Sequence, residues 1–118
     1  MHSYRDLLVW QKAMELVVSV YRITNTFPKS EVYGLTSQMQ RAVVSIPSNI
    51  AEGHGLKQTP AYLRHPAIAT GSLCELETQI EIADRLGFLP VNERAVLAQA
   101  NEIGRMLFGL RQSLQAKL

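Results

Sequence analysis

Three histidines (His2, His54 and His65) and one cysteine (Cys74) are the side chains of this chain best suited to bind a metal or attack a substrate. A carboxylate-bridged metal pair in a helical bundle needs a Glu-x-x-His motif on each of two helices. No histidine here follows a glutamate by three. With one cysteine, a metal site has only His, Asp and Glu to draw on, and no intrachain disulfide can form. The histidines, two beside breaks and one in the N-terminal tail, are expected to be solvent-exposed, with no metal or cofactor bound. Cys74 stands between Leu73 and Glu75, beside an apolar stripe. It is expected to be a small buried hydrophobe, since a reactive thiolate wants cationic neighbours and Glu75 and Glu77 supply the opposite. No serine has a histidine at helical spacing. Gly53-His54-Gly55-Leu56-Lys57 lacks the spacing of a phosphate-binding loop. No catalytic residue is assigned, and the chain is not expected to be an enzyme.

Nucleic-acid chemistry has little more to stand on. The net charge is +2, and by segment it runs +1 over 1–34, +1 over 35–58, −2 over 59–86 and +2 over 87–118. No segment is strongly basic, and the aromatic residues are not interleaved with Lys or Arg as a stacking platform requires. Solvated helix faces account for these charges.

The elements that must hold these side chains are helices. In the first segment Val9, Ala13, Leu16, Val20, Ile23 and Phe27 step by four and three, one face of a helix ended by Pro28 and the loop through Gly34. A second stripe, Trp10, Met14, Val17 and Tyr21, lies beside it, making the apolar arc wider than one neighbouring helix needs. The second segment sets Leu35, Met39, Ala42, Ile46, Ile50 and Gly53 on one face, with Pro47 in its middle. Proline removes a donor and crowds the Val43 carbonyl, which predicts a kink rather than two helices. Ser45, Ser48 and Asn49 are expected to help satisfy that carbonyl, and Gly53-His54-Gly55 to stop the helix.

The third segment opens with Thr59 as N-cap and Pro60 at the first helical position. Its core stripe is Ala69, Leu73, Leu76, Ile80 and Ala83, and Gly87 closes it. Pro66 is expected to bend or fray the first two turns, with regular helix from about Ile68. The fourth segment starts after Pro90 with Asn92 as N-cap and carries Val96, Ala100, Ile103, Leu107, Leu110 and Leu114. No strand-like alternation occurs. With 118 residues, 47% hydrophobic and 19% charged, this is one globular all-α domain, an antiparallel up-down-up-down four-helix bundle over residues 4–114 with a frayed tail at 115–118. The N-terminus has no signal-peptide pattern, and no stretch is apolar enough to span a membrane. The expected place is the cytoplasm. Self-association is expected too, because Trp10 or Tyr21 stays exposed unless something covers it. Polar stripes on the second helix (Arg41, Ser45, Glu52) and the third (Ser72, Glu75, Gln79) would then border subunit contacts.

The run Leu7-Leu8-Val9-Trp10-Gln11-Lys12-Ala13 resembles the opening of the four-helix-bundle proteins encoded within intervening sequences of bacterial 23S rRNA genes. The likeness is densest at Arg41-Ala42-Val43-Val44-Ser45-Ile46-Pro47-Ser48-Asn49-Ile50-Ala51-Glu52-Gly53. It continues at Ala69-Thr70-Gly71-Ser72-Leu73-Cys74-Glu75-Leu76-Glu77-Thr78-Gln79 and reaches about Leu114. The resemblance implies an antiparallel four-helix bundle assembled as a ring-like homopentamer, with no catalytic residues and with itself as first partner. RNA or another protein is a further partner, and a nucleic-acid-binding accessory subunit of a retroelement reverse transcriptase is the alternative role. By the same resemblance Arg41, Ser45, Pro47, Asn49, Glu52, Gly71, Glu75 and Glu77 are motif residues, structural or at interfaces. His65-Pro66 departs from the family's continuous apolar helix, and His54 to Gln58 is less basic than its common form.

Overall fold

The computed structural model describes residues 3–56 and 60–116. Four α-helices carry the chain: α1 (Leu8–Thr24), α2 (Leu35–Gly55), α3 (Arg64–Arg85) and α4 (Ala95–Ala116), and there is no strand among the described residues. A short 3₁₀ turn precedes each, at Tyr4–Asp6, Lys29–Glu31, Pro60–Leu63 and Val91–Glu93. α2 packs most extensively on α3, α1 lies on α2, and α4 touches both α3 and α1. That cyclic order fits a four-helix bundle, and the extents of 45 × 24 × 21 Å are those of rods laid side by side. No described helix is long and apolar enough to cross a membrane.

The apolar stripes form the core. Leu16, Val20, Met39, Ile46, Leu76, Ile80, Ile103 and Leu107 are fully buried, as are Ala13, Ala69, Ala83 and Ala100. The small residues let helix axes approach while the branched ones interdigitate, giving interior packing density.

The helix ends depart from expectation in instructive ways. α1 stops at Thr24, ahead of Pro28, where the helical bonding tightens: Thr26 N donates to the Ile23 carbonyl and Phe27 N to that of Thr24, each at 3.1 Å and three residues back rather than four. Pro47 sits inside one unbroken helix. The predicted help for the Val43 carbonyl goes elsewhere: Ser48 Oγ donates to the Val44 carbonyl and Asn49 Nδ2 to that of Ser45, each at 2.8 Å. Pro66 does not delay α3, which is regular from Arg64 rather than Ile68. It occupies the first turn, where an amide has no helical acceptor and proline costs nothing. The Thr59 N-cap lies outside the described residues. α4 begins at Ala95, not after Asn92, which belongs to the preceding 3₁₀ turn. Gly87 does close α3: at φ 78° it adopts the left-handed conformation, and Phe88 N reaches back to the Ala83 carbonyl at 2.9 Å, a Schellman ending. α4 runs on through Leu114 to Ala116.

Candidate functional site

Two features gather the polar and aromatic residues singled out in the sequence. The first is a seam of side chains between α2 and α3. Ser45 Oγ and Ser72 Oγ share a hydrogen bond of 2.8 Å, and Asn49 Nδ2 donates to Ser45 Oγ at 3.1 Å. Because the Asn49 amide group spends its donors on Ser45, its Oδ1 faces His65 and accepts from Nδ1–H at 3.0 Å. Glu52 Oε2 stands 3.6 Å from the same nitrogen. Gly53 makes the approach possible, since a Cβ there would come within 3.1 Å of His65 Cβ and 3.3 Å of Pro66 Cδ.

His65 is therefore not the solvent-exposed histidine expected; its side chain is only 16% exposed, held against α2 by Asn49 and Glu52. His54 too is half-buried. His2 lies outside the described residues. The imidazole of His65 meets an amide and a carboxylate, not a serine hydroxyl, so the seam forms no nucleophile–base pair. No group of His, Cys, Asp and Glu among the described residues is arranged to hold a metal ion. What the seam does is align two helices, each hydroxyl and amide satisfied by a partner across or along the interface.

Cys74 is exposed, against expectation. One residue past Leu73 is 100° round the helix, which turns its thiol from the core stripe to the outer face. Glu77 is half-buried on α3, where burial first and the Glu81 carboxylate second push its carboxyl above the usual range. The structure keeps it apart from both features.

The second feature is a groove between α1 and α2. Trp10 and Val17 are half-buried on its wall, and Met14 and Tyr21 remain 41% and 44% exposed. Val44, Pro47 and Ala51 form the opposite wall. Tyr4 caps one end, its ring 5.4 Å from that of Trp10 in an edge-on contact and 4.7 Å below the Arg5 guanidinium. The other end is polar, with Tyr21, Ser37, Gln40 and Arg41. There Gln40 Nε2 donates to Thr24 Oγ1 at 3.2 Å, tying α2 to the end of α1. Arg41 makes no ion pair among the described residues. The open space of about 330 Å³ at the Trp10 end is far more than a bound water needs and is walled mostly by apolar side chains, a surface suited to another protein's side chains.

The structure thus brings Ser45, Asn49, Glu52 and Ser72 together in the seam, and Trp10, Tyr21, Arg41 and Pro47 along the groove. Gly71 and Glu75 stand exposed on α3, Glu75 Oε1 accepting from Gln79 Nε2 at 3.3 Å. Sequence reasoning missed His65 and Gly53. Their signal was present as a glycine and a His-Pro pair flanking one connection, where close helix approach and a first-turn proline belong together.

A family model described as 23S rRNA-intervening sequence protein matches residues 5–109. The search among curated proteins returns no match.

Proposed function

Because the chain belongs to the 23S rRNA-intervening sequence protein family, we propose that it works as a self-assembling helical bundle, acting through contacts rather than chemistry. The observation that carries this reading is the groove of Trp10, Met14, Val17 and Tyr21 against Val44, Pro47 and Ala51, an apolar surface left uncovered in the single chain. Trp and Tyr are the usual anchors of protein interfaces. Within this reading the helices run up-down-up-down, α2 is kinked at Pro47, and five copies form the assembly. The cytoplasm suits it, since there the lone exposed Cys74 stays a thiol.

The carboxylate, histidine and serine groups of the α2–α3 seam are occupied with one another, which supports a structural role for the motif residues Ser45, Asn49, Glu52 and Ser72. A nucleic-acid-binding accessory subunit draws less support, because a net charge of +2, with no segment above +2 and one at −2, concentrates no strong positive field. Size-exclusion chromatography with light scattering tests the proposal. A mass several times 13.2 kDa at micromolar concentration is expected, and a 13.2 kDa species there overturns it. Retention of RNA that falls steeply with salt would favour the accessory-subunit reading instead.

A further inference from the structure

On α3, Ile68, Gly71, Glu75, Thr78 and Ile82 follow steps of three, four, three and four, so they lie along one line of the helix. All five are exposed, the two isoleucines at 39% and 43%. The two isoleucines leave apolar surface in water that a packing partner would cover. In the groove, Trp10, Met14, Val17 and Tyr21 repeat the steps along α1. Arg41, Val44, Ser48 and Ala51 repeat them along α2. Two such rows side by side make a furrow that accepts a third helix.

Charge and shape select which helix. Arg41 is the one charged side chain lining the furrow, and it is unpaired among the described residues. Glu75 is the one charge on the α3 stripe, seven residues from each isoleucine, or roughly 10 Å along the axis. Arg41 stands six and seven residues from Pro47 and Ser48, the same reach along α2. A helix seated with Glu75 on Arg41 therefore lays an isoleucine over the stretch beside Trp10 and Pro47. Gly71 falls between them. A glycine in an exposed helix interior is costly, and a Cβ at Gly71 would meet nothing within 4 Å. Nothing inside the protomer needs that glycine, whereas a second backbone drawn close does.

We propose that the α1–α2 furrow of one copy receives the Ile68–Ile82 stripe of α3 from the next copy, head to tail, with Arg41 paired to the neighbour's Glu75. This rests on the self-assembly reading and names its partner surface. Arg41→Glu and Glu75→Arg, both at exposed positions, each set like charges against one another, and each alone raises the dissociation constant about tenfold or more. Mixed, the two variants associate by light scattering into complexes larger than either forms alone, alternating copy by copy, so that a ring of five keeps one like-charged contact and an even or open array none. The altered furrow of one then meets the altered stripe of the other, and the native furrow meets the native stripe. Pairing inside one protomer cannot produce that rescue, because neither copy carries both changes. Gly71→Ala raises the melting temperature of the dilute chain yet weakens assembly. Wild-type assembly by both charge variants, or a mixture that stays apart, overturns the contact and leaves self-assembly standing. A wild-type chain that runs as a monomer overturns the self-assembly reading itself.

Discussion

Gln79 is a glutamine in the core, 5% exposed, with its amide half satisfied. Its Nε2 donates to Glu75, but its Oε1 is buried with no partner among the described residues. An acceptor left so costs about 1–3 kcal/mol. Gln79→Met keeps the length and removes the orphan, and is expected to raise stability by about 1 kcal/mol, read as a higher urea midpoint at unchanged slope. A lowered midpoint would mean that the amide's hold on Glu75 outweighs its own desolvation. At this scale the sequence was legible only for apolar residues. Every position of the first α1 stripe, from Val9 to Phe27, is buried as read. Ser45 and Ser72, 27 residues apart, are expected from sequence on two separate polar stripes bordering subunit contacts, yet they pair within one protomer, because hydroxyl pairing depends on which helices face each other. Periodicity along one helix does not carry that information.

Among the elements, two glycines make opposite demands. A Cβ at Gly53 would press on His65 Cβ and the Pro66 ring, atoms fixed to the α3 backbone that cannot swing aside. Overpacking there outweighs the helix propensity gained, so Gly53→Ala is expected to destabilise by about 1 kcal/mol. At Gly71, where the added methyl meets open space, the same change is expected to stabilise the isolated chain by about 1 kcal/mol. Thermal melts of the two variants in dilute solution check the pair of signs. Helix existence was the most legible level: four periodic segments became four helices, and Pro47 stayed within one. Helix starts were the least legible. Pro66 and Asn92 both carry breaker or cap chemistry, and each sits where its role depends on a 3₁₀ turn that leaves no periodic trace.

For the molecule as a whole, the two-stripe face of α1 is the sequence feature that α2 and α4 only partly cover. One stripe is buried, and the other lines the groove. If assembly covers the second stripe, stability becomes linked to concentration. The melting temperature is then expected to rise by roughly 5 °C or more across a hundredfold range of protein concentration. A midpoint that does not move would count against assembly. This level was legible as surplus apolar surface alone, since the order in which helices surround the core is fixed by tertiary packing.

Furrow and stripe lie on different helices of the same chain. Unless the two faces meet reciprocally across a two-fold axis, a contact between them leaves each newcomer with one half still open. The angle between the α1–α2 face and the α3 face then decides whether the chain of copies bites its own tail or grows into a fibre. That angle is set where Gly53 lets α3 nestle onto α2. A single methyl group at this spot, belonging to neither docking face, would change how many copies close the circle.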